Sequence, residues 1–185
     1  MAIKGMSVDG FILPGHVSVI KGVNAYMGFF EKYRIPSVIA GFEPTDLLHS
    51  IYTLTYQIEN CEPELINGYN RVVTEKGNEK AQTVMMSVFE PTDTLWRGLG
   101  NIKNSGLKIK EEFAAFDAER AFDIDLSNPE EPKGCACGEI LTGIKTPPEC
   151  LLYRKVCTPM DPVGPCMVSS EGTCAAFYRY ETPKV

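Results

Sequence analysis

Pro36-Ser37-Val38-Ile39-Ala40-Gly41-Phe42-Glu43-Pro44-Thr45-Asp46-Leu47-Leu48 is the stretch that decides the fold. Its first five residues, 36–40, are short, apolar and partly β-branched, so they read as a buried strand that stops at Gly41. Pro44 then falls at a first-turn helix position, where its missing N–H costs nothing. Leu47, Leu48, Ile51, Leu54, Tyr56 and Ile58 give the following helix a core face. The same arrangement precedes it. Residues 10–13 form a short apolar run ended by the turn signal Pro14-Gly15. Residues 17–33 then carry Val19, Ile20, Val23, Tyr26, Met27 and Phe30 at helical spacing. Strand, helix, strand, helix with short joins predicts a parallel sheet with right-handed crossovers.

Downstream the pattern loosens. Residues 78–89 read as a helix with Val84, Met85, Val88 and Phe89 inward. Residues 96–102 and 107–109 read as a hairpin about the polar turn Lys103-Asn104-Ser105-Gly106. Residues 111–122, with Phe113, Phe116 and Phe122, read as one or two short helices. Residues 123–133 are acidic and proline-rich, as in a linker. Beyond them Cys, Pro and Gly crowd the chain without periodicity. The expected fold class is α/β: a parallel-sheet βαβ unit in a domain over 1–122, then a small irregular cysteine-rich domain over 134–185. A segment of that composition buries little hydrocarbon, so a metal centre is its natural staple.

Composition narrows the function classes. Hydrophobic residues make up 44% and charged residues 23% of the 185, ordinary for a globular protein. The net charge of −6, without a dense Lys/Arg stripe, argues against a phosphate-neutralising nucleic-acid binder. No apolar run approaches the roughly 20 residues that span a bilayer. The opening residues lack the apolar core of a secretory signal, so a cytoplasmic location is expected. Gly98-Leu99-Gly100 lacks the third glycine and the strand–helix setting of a phosphate loop, and no serine sits in a nucleophile elbow.

The cysteines carry the chemistry. There are seven, six of them between Cys135 and Cys174, with Cys61 alone outside. An odd count in a reducing compartment argues for metal or redox use rather than a disulfide framework. From Cys137 the spacing is C-x12-C-x6-C-x16-C, through Cys150 and Cys157 to Cys174, with Cys135 and Cys166 extra. Four thiolates satisfy either a tetrahedral zinc or a four-cysteine iron–sulfur cluster. Paired C-x2–4-C zinc knuckles are absent, and long gaps that put each ligand on its own loop suit a cluster. Buried free thiols, a zinc-stapled interaction module and a thiol redox enzyme using Cys135, Cys137 or Cys166 are the competing readings. Ser169-Ser170-Glu171-Gly172 can start a helix, with Cys174 in its first turn. A second, polar site is expected where ligands bind parallel sheets, outside the strand C-termini. His16 and Glu43 fall on such loops, although each also has a local capping explanation. His49 reads as an ordinary helix residue.

Several ordered blocks carry a family resemblance: Pro14-Gly15-His16-Val17-Ser18, Gly41-Phe42-Glu43-Pro44 with Asp46-Leu47-Leu48, Trp96-Arg97-Gly98-Leu99-Gly100, Phe116-Asp117-Ala118-Glu119 and Cys137-Gly138-Glu139-Ile140-Leu141. The most specific is Met167-Val168-Ser169-Ser170-Glu171-Gly172 with Cys174. From about residue 9 to residue 180 the chain resembles the C-terminal part of the HypD family of hydrogenase maturation factors. The resemblance implies an assembly scaffold or metallochaperone component rather than a stand-alone enzyme. It would act in building the Fe(CN)2CO centre of nickel–iron hydrogenases, with a HypC-like chaperone and a HypE-like cyanide donor as partners. It also implies a redox-active [4Fe-4S] cluster, with Cys137, Cys150, Cys157 and Cys174 as ligands by motif position and Cys135 and Cys166 outside the set. The family's N-terminal half, with its own cysteine and histidine motifs, has no counterpart in this sequence. The expectation is a fragment, a split protein or a truncated relative.

Overall fold

A central strand with no exposed residue organises the first part of the chain. In a computed structural model describing residues 7–122 and 132–181, β2 (Ser37–Ala40) lies between β1 (Phe11–Pro14) and β3 (Leu65–Asn67), all parallel. The register pairs Phe11 with Ser37 and Ser37 with Leu65. Val38 and Ile39 are 0% exposed, as expected for a strand covered on both faces. Crossovers are made by α1 (Gly15–Lys21), α2 (Asn24–Tyr33) and α3 (Pro44–Asn60). The helix α4 (Glu79–Val88) follows, opened by Asn78, whose side-chain oxygen accepts the Ala81 N–H at 3.0 Å.

The expected single helix over 17–33 is instead two. Gly22, at φ 76°, ends α1, a conformation that favours glycine. The backbone N–H groups of Val23 and Asn24 turn to the carbonyls of Thr74 and Glu75, at 3.2 and 3.0 Å. A loop some fifty residues away thus supplies the partners that helix continuation would have supplied.

Val8–Phe89 forms one unit of the structure; Glu90 onward, with Ser7, belongs to the other. The second unit opens with a hairpin of β4 (Phe89–Trp96) and β5 (Gly100–Ile109). Its turn lies at residues 97–99, not at 103–106. Gly98 and Gly100, at φ 82° and 79°, provide that turn, closed by the Leu99 N–H on the Trp96 carbonyl. Asn104 is held within the ribbon instead, its N–H donating to Asp93 at 2.9 Å. A 3-10 helix (Glu111–Phe116) and a single turn α5 (Ala118–Ala121) follow, tied by two 2.7 Å bonds from Arg120 to Glu111. The hairpin and these turns therefore group with the cysteine-rich segment. Residues 1–6 and most of the linker expected over 123–133 lie outside the described residues.

The remainder is built of short pieces: α6 (Cys137–Leu141), a 3-10 turn (Pro147–Glu149), α7 (Pro165–Val168) and α8 (Thr173–Tyr180). Caps and turns hold them. The Glu149 carboxylate accepts both the N–H and the hydroxyl of Thr146, at 2.7 and 2.8 Å. Arg154 donates to the carbonyls of Tyr178 and Glu181 at the end of α8, both at 3.1 Å, and lies over the Tyr178 ring. A cation there satisfies orphan carbonyls and complements the helix dipole. Among the described residues no helix is long and apolar enough to cross a membrane.

Candidate metal centre

The core of the second unit is made of sulfur as much as of hydrocarbon. Cys137, Cys150, Cys157, Cys166 and Cys174 are all buried in it, together with Ala136, Ile140, Tyr153, Met167 and Ala175. Each thiol arrives on a different piece of chain. Cys137 begins α6, Cys150 ends the 3-10 turn, Cys157 closes a tight loop bridged to Tyr153, Cys166 lies in α7 and Cys174 in the first turn of α8. The helix expected to carry Cys174 is therefore present, but Gly172 rather than a serine precedes it.

Local hydrogen bonds fix these sulfurs. The Cys166 N–H donates to Cys137 Sγ at 3.3 Å and the Val163 N–H to Cys157 Sγ at 3.4 Å. Cys166 Sγ donates to Cys174 Sγ at 3.1 Å. Burial pushes the Cys137 thiol up to about 12 and the Cys166 thiol to about 11, and raises Cys174 as well. Without a counter-charge these groups are neutral thiols at physiological pH. A bound cation reverses that balance, because it replaces the protons and neutralises the thiolates. The donor set suits thiophilic metal chemistry: sulfur ligands, backbone N–H groups aimed at two of them, and an apolar surround. Among the described residues no three His, Cys, Asp or Glu side chains gather as a single-ion site.

All four cysteines expected as ligands from the motif positions lie in this one core. So does Cys166, which the spacing left aside. Cys135 is only half-buried, and burial raises its thiol too. Cys61 is exposed at the left-handed C-terminus of α3, in the other unit. The signal for Cys166 was available in Gly164-Pro165: proline at the first position of α7 starts a helical turn that carries the cysteine inward.

The strand-tip candidates stand apart from the thiols in sequence and in unit. His16 is exposed and its ring lies 5.2 Å from that of Phe42. Glu43 Oε2 accepts from Arg71 at 2.8 Å, and Asp46 takes the same guanidinium through both oxygens at 2.9 and 2.6 Å. Arg71 also covers the Tyr69 ring at 4.4 Å. The hydrogen bond from Arg71 holds the Asp46 carboxyl down to about 2. Glu43 is thus engaged in an ion pair that clamps the start of α3, and its side chain does not cap the helix. His49 is an exposed residue of α3. Arg71 is 25 residues from Asp46, and no local pattern announces it.

A family model described as "HypD: Hydrogenase formation hypA family" matches residues 1–181. The chain is 47% identical over 174 residues to the hydrogenase maturation factor HypD of Cupriavidus necator, covering 94% of the chain and 46% of that protein. It is 47% identical over 176 residues to the HypD of Azotobacter vinelandii, covering 95% of the chain and 46% of that protein. The hydrogenase expression/formation protein HupD of Azotobacter chroococcum is 46% identical over 176 residues, with the same coverage. The chain spans about half the length of these curated relatives.

Proposed function

The chain belongs to the HypD family, and from that premise we propose that it serves hydrogenase maturation as the cluster-bearing part of an assembly scaffold. One observation carries the reading: the second unit gathers five cysteines from five separate pieces of chain into a single buried core. Cys137, Cys150, Cys157 and Cys174 would hold a [4Fe-4S] cluster. When bound, such a cluster supplies one-electron redox chemistry and the folding energy of the segment around it.

The chain's own residues prepare that site. The Cys166 and Val163 N–H groups orient Cys137 and Cys157, and the bond from Cys166 favours the Cys137 thiolate. Tyr153, Phe177 and Tyr178 pack edge to face around the core, at ring separations of 6.3 and 6.0 Å from Tyr153. They keep water from the sulfurs. The cluster's electrons would serve the iron centre under assembly, Fe(CN)2CO, held with a HypC-like chaperone and supplied with cyanide by a HypE-like donor. In this reading the location is cytoplasmic, and the half of the relatives outside the match supplies the iron-holding motifs.

Anaerobic purification followed by reconstitution with iron and sulfide tests the cluster. The expected result is a brown protein with a broad charge-transfer absorption and about four iron and four sulfide per chain. A colourless protein that cannot be reconstituted would sink the reading. One zinc per chain without acid-labile sulfide would establish the zinc-stapled module in its place.

A second reading is favoured by the position of Cys166, whose N–H meets Cys137 Sγ. The Cys166 thiol itself lies 3.1 Å from Cys174 Sγ, and closing a disulfide in this group would release two electrons and two protons to an added oxidant such as diamide. Mass spectrometry after mild oxidation should show a reversible bridge among Cys135, Cys137 and Cys166. Failure of any bridge to form removes the thiol-redox alternative.

A further inference from the structure

Cys150 and Cys157 belong to one short loop, and each stands next in the chain to a surface residue. Leu151 follows Cys150 and is 69% exposed; Val156 precedes Cys157 and is 57% exposed. Neither Cys137 nor Cys174 has an exposed apolar side chain beside it in the chain. Just beyond Cys157, Met160 is 93% exposed, yet its backbone is held. The Thr158 N–H donates to the Asp161 carbonyl and the Asp161 N–H to the Thr158 carbonyl, both at 3.1 Å. That pair of bonds fixes Pro159 and Met160 in a tight turn. The chain after it is tied back by the Val163 N–H on Cys157 Sγ.

The charge of this loop runs against that of the chain. Between Cys150 and Cys157 stand Arg154 and Lys155 and no acid, in a sequence of net charge −6. Both cations are exposed. Lys155 makes no ion pair among the described residues. Of the flanking acids, Glu149 turns its carboxylate to Thr146, and Asp161 stands beyond Met160. Exposed apolar side chains rimmed by polar ones mark contact surfaces. Methionine adapts to the shape of a partner, and cations at the rim steer one of opposite charge. Electron-transfer encounters bury less than about 1,200 Å² in total, so a loop of this size is enough for one. We propose that residues 151–160 form the docking surface for a small acidic protein that carries single electrons. The proposal rests on the cluster reading above, because a partner seated there lies one residue from two of the four proposed ligands. The carrier gives up one electron, the cluster takes it, and no bond or proton moves.

Docking is measured on the reconstituted full chain, with flavodoxin as the acidic probe and cytochrome c as the basic one. All partners are oxidised, so calorimetry reads binding alone. A carbodiimide joins a probe carboxylate directly to a lysine amine, and peptide mass spectrometry should find flavodoxin on Lys155 rather than on Lys80 of α4. Lys155→Glu should weaken flavodoxin binding about tenfold, since an attraction becomes a repulsion. Lys155→Arg should keep it, and Lys80→Glu should change it by less than about twofold. Leu151→Ser should weaken it about fivefold through lost apolar contact. In 1 M salt the Lys155 effect should collapse while that of Leu151 persists. Equal losses from Lys155→Glu and Lys80→Glu would reduce the binding to net charge. The absence of a crosslink at Lys155, or cytochrome c binding the loop as tightly as flavodoxin, would remove the selection. A dimer of the chain alone that Leu151→Ser dissolves would assign the surface to a second copy. Each of these results overturns the proposal. A brown, four-iron chain that does not bind flavodoxin sinks the docking surface and leaves the cluster standing, whereas a chain that cannot be loaded sinks both.

Discussion

The two units bury their centres by opposite means. In the first, four residues of β2 disappear between neighbouring strands and helices, and Val38 and Ile39 lose all contact with solvent. Burying such side chains stabilises by about 1.5–3 kcal/mol each, and the hydroxyls buried with them, on Ser18, Ser37 and Ser50, donate to nearby backbone carbonyls. In the second, five cysteines stand where aliphatic residues would, on helices of four to eight residues and loops between them. Short elements contribute little stability alone. Thiols are small, and their polar chemistry remains unspent until a metal replaces the protons. A sheet core is complete when the chain folds, whereas under the proposed function the sulfur core is complete only when it holds its metal.

The sharpest way to break this contrast is to remove one proposed ligand. Cys150→Ala should abolish the reconstituted absorption and leave the segment after Lys133 open to limited proteolysis, while Val8–Phe89 stays resistant. A tail as resistant as that of the unaltered chain would contradict the staple argument. Next in size is the corresponding change in the hydrocarbon core. Ile39→Ala should cost about 2–5 kcal/mol, read from urea unfolding, with no loss of bound iron in protein that remains folded. Loss of iron would mean that the two cores depend on each other.

Smaller effects sharpen the comparison within each unit. Gly138→Ala forces a methyl group against the Gly98 carbonyl, and should destabilise by about 1–3 kcal/mol. The hairpin turn should become cleavable, while α3 keeps its resistance. The smallest effect belongs to the ion pair on α3. The folded-state pKa of Asp46 is depressed, to about 2, by its bond from Arg71. Its stabilisation is therefore present above the ordinary carboxylate range and is lost as pH falls toward about 2. The melting temperatures of the unaltered chain and Asp46→Asn should differ at neutral pH and converge below about pH 3. A constant difference across that range would assign the effect to packing.

The strand over 36–40 and the helix from Pro44 were legible because their signals are local: an apolar β-branched run, a glycine stop, a proline start. The break at Gly22 was not, since the carbonyls that capture Val23 and Asn24 come from residues 74 and 75. The hairpin turn was misplaced for a similar reason. Lys103-Asn104-Ser105-Gly106 has turn chemistry, but Asp93 holds Asn104 within the ribbon and the glycines at 98 and 100 make the reversal. The cysteine cluster was visible from count and clustering, yet which thiols are buried together depends on packing. Cys166 looked dispensable by spacing and is buried with the other four.

By itself, the sequence determined the α/β alternation, the family and the concentration of thiols after residue 134, because composition, periodicity and ordered motifs are properties of neighbouring residues. Tertiary structure decided the rest. It joined Glu43 and Asp46 to Arg71, and placed Cys166 against Cys137 and Cys174. Each of these groups residues many positions apart, and proximity of that kind arises only when the chain closes its loops and packs.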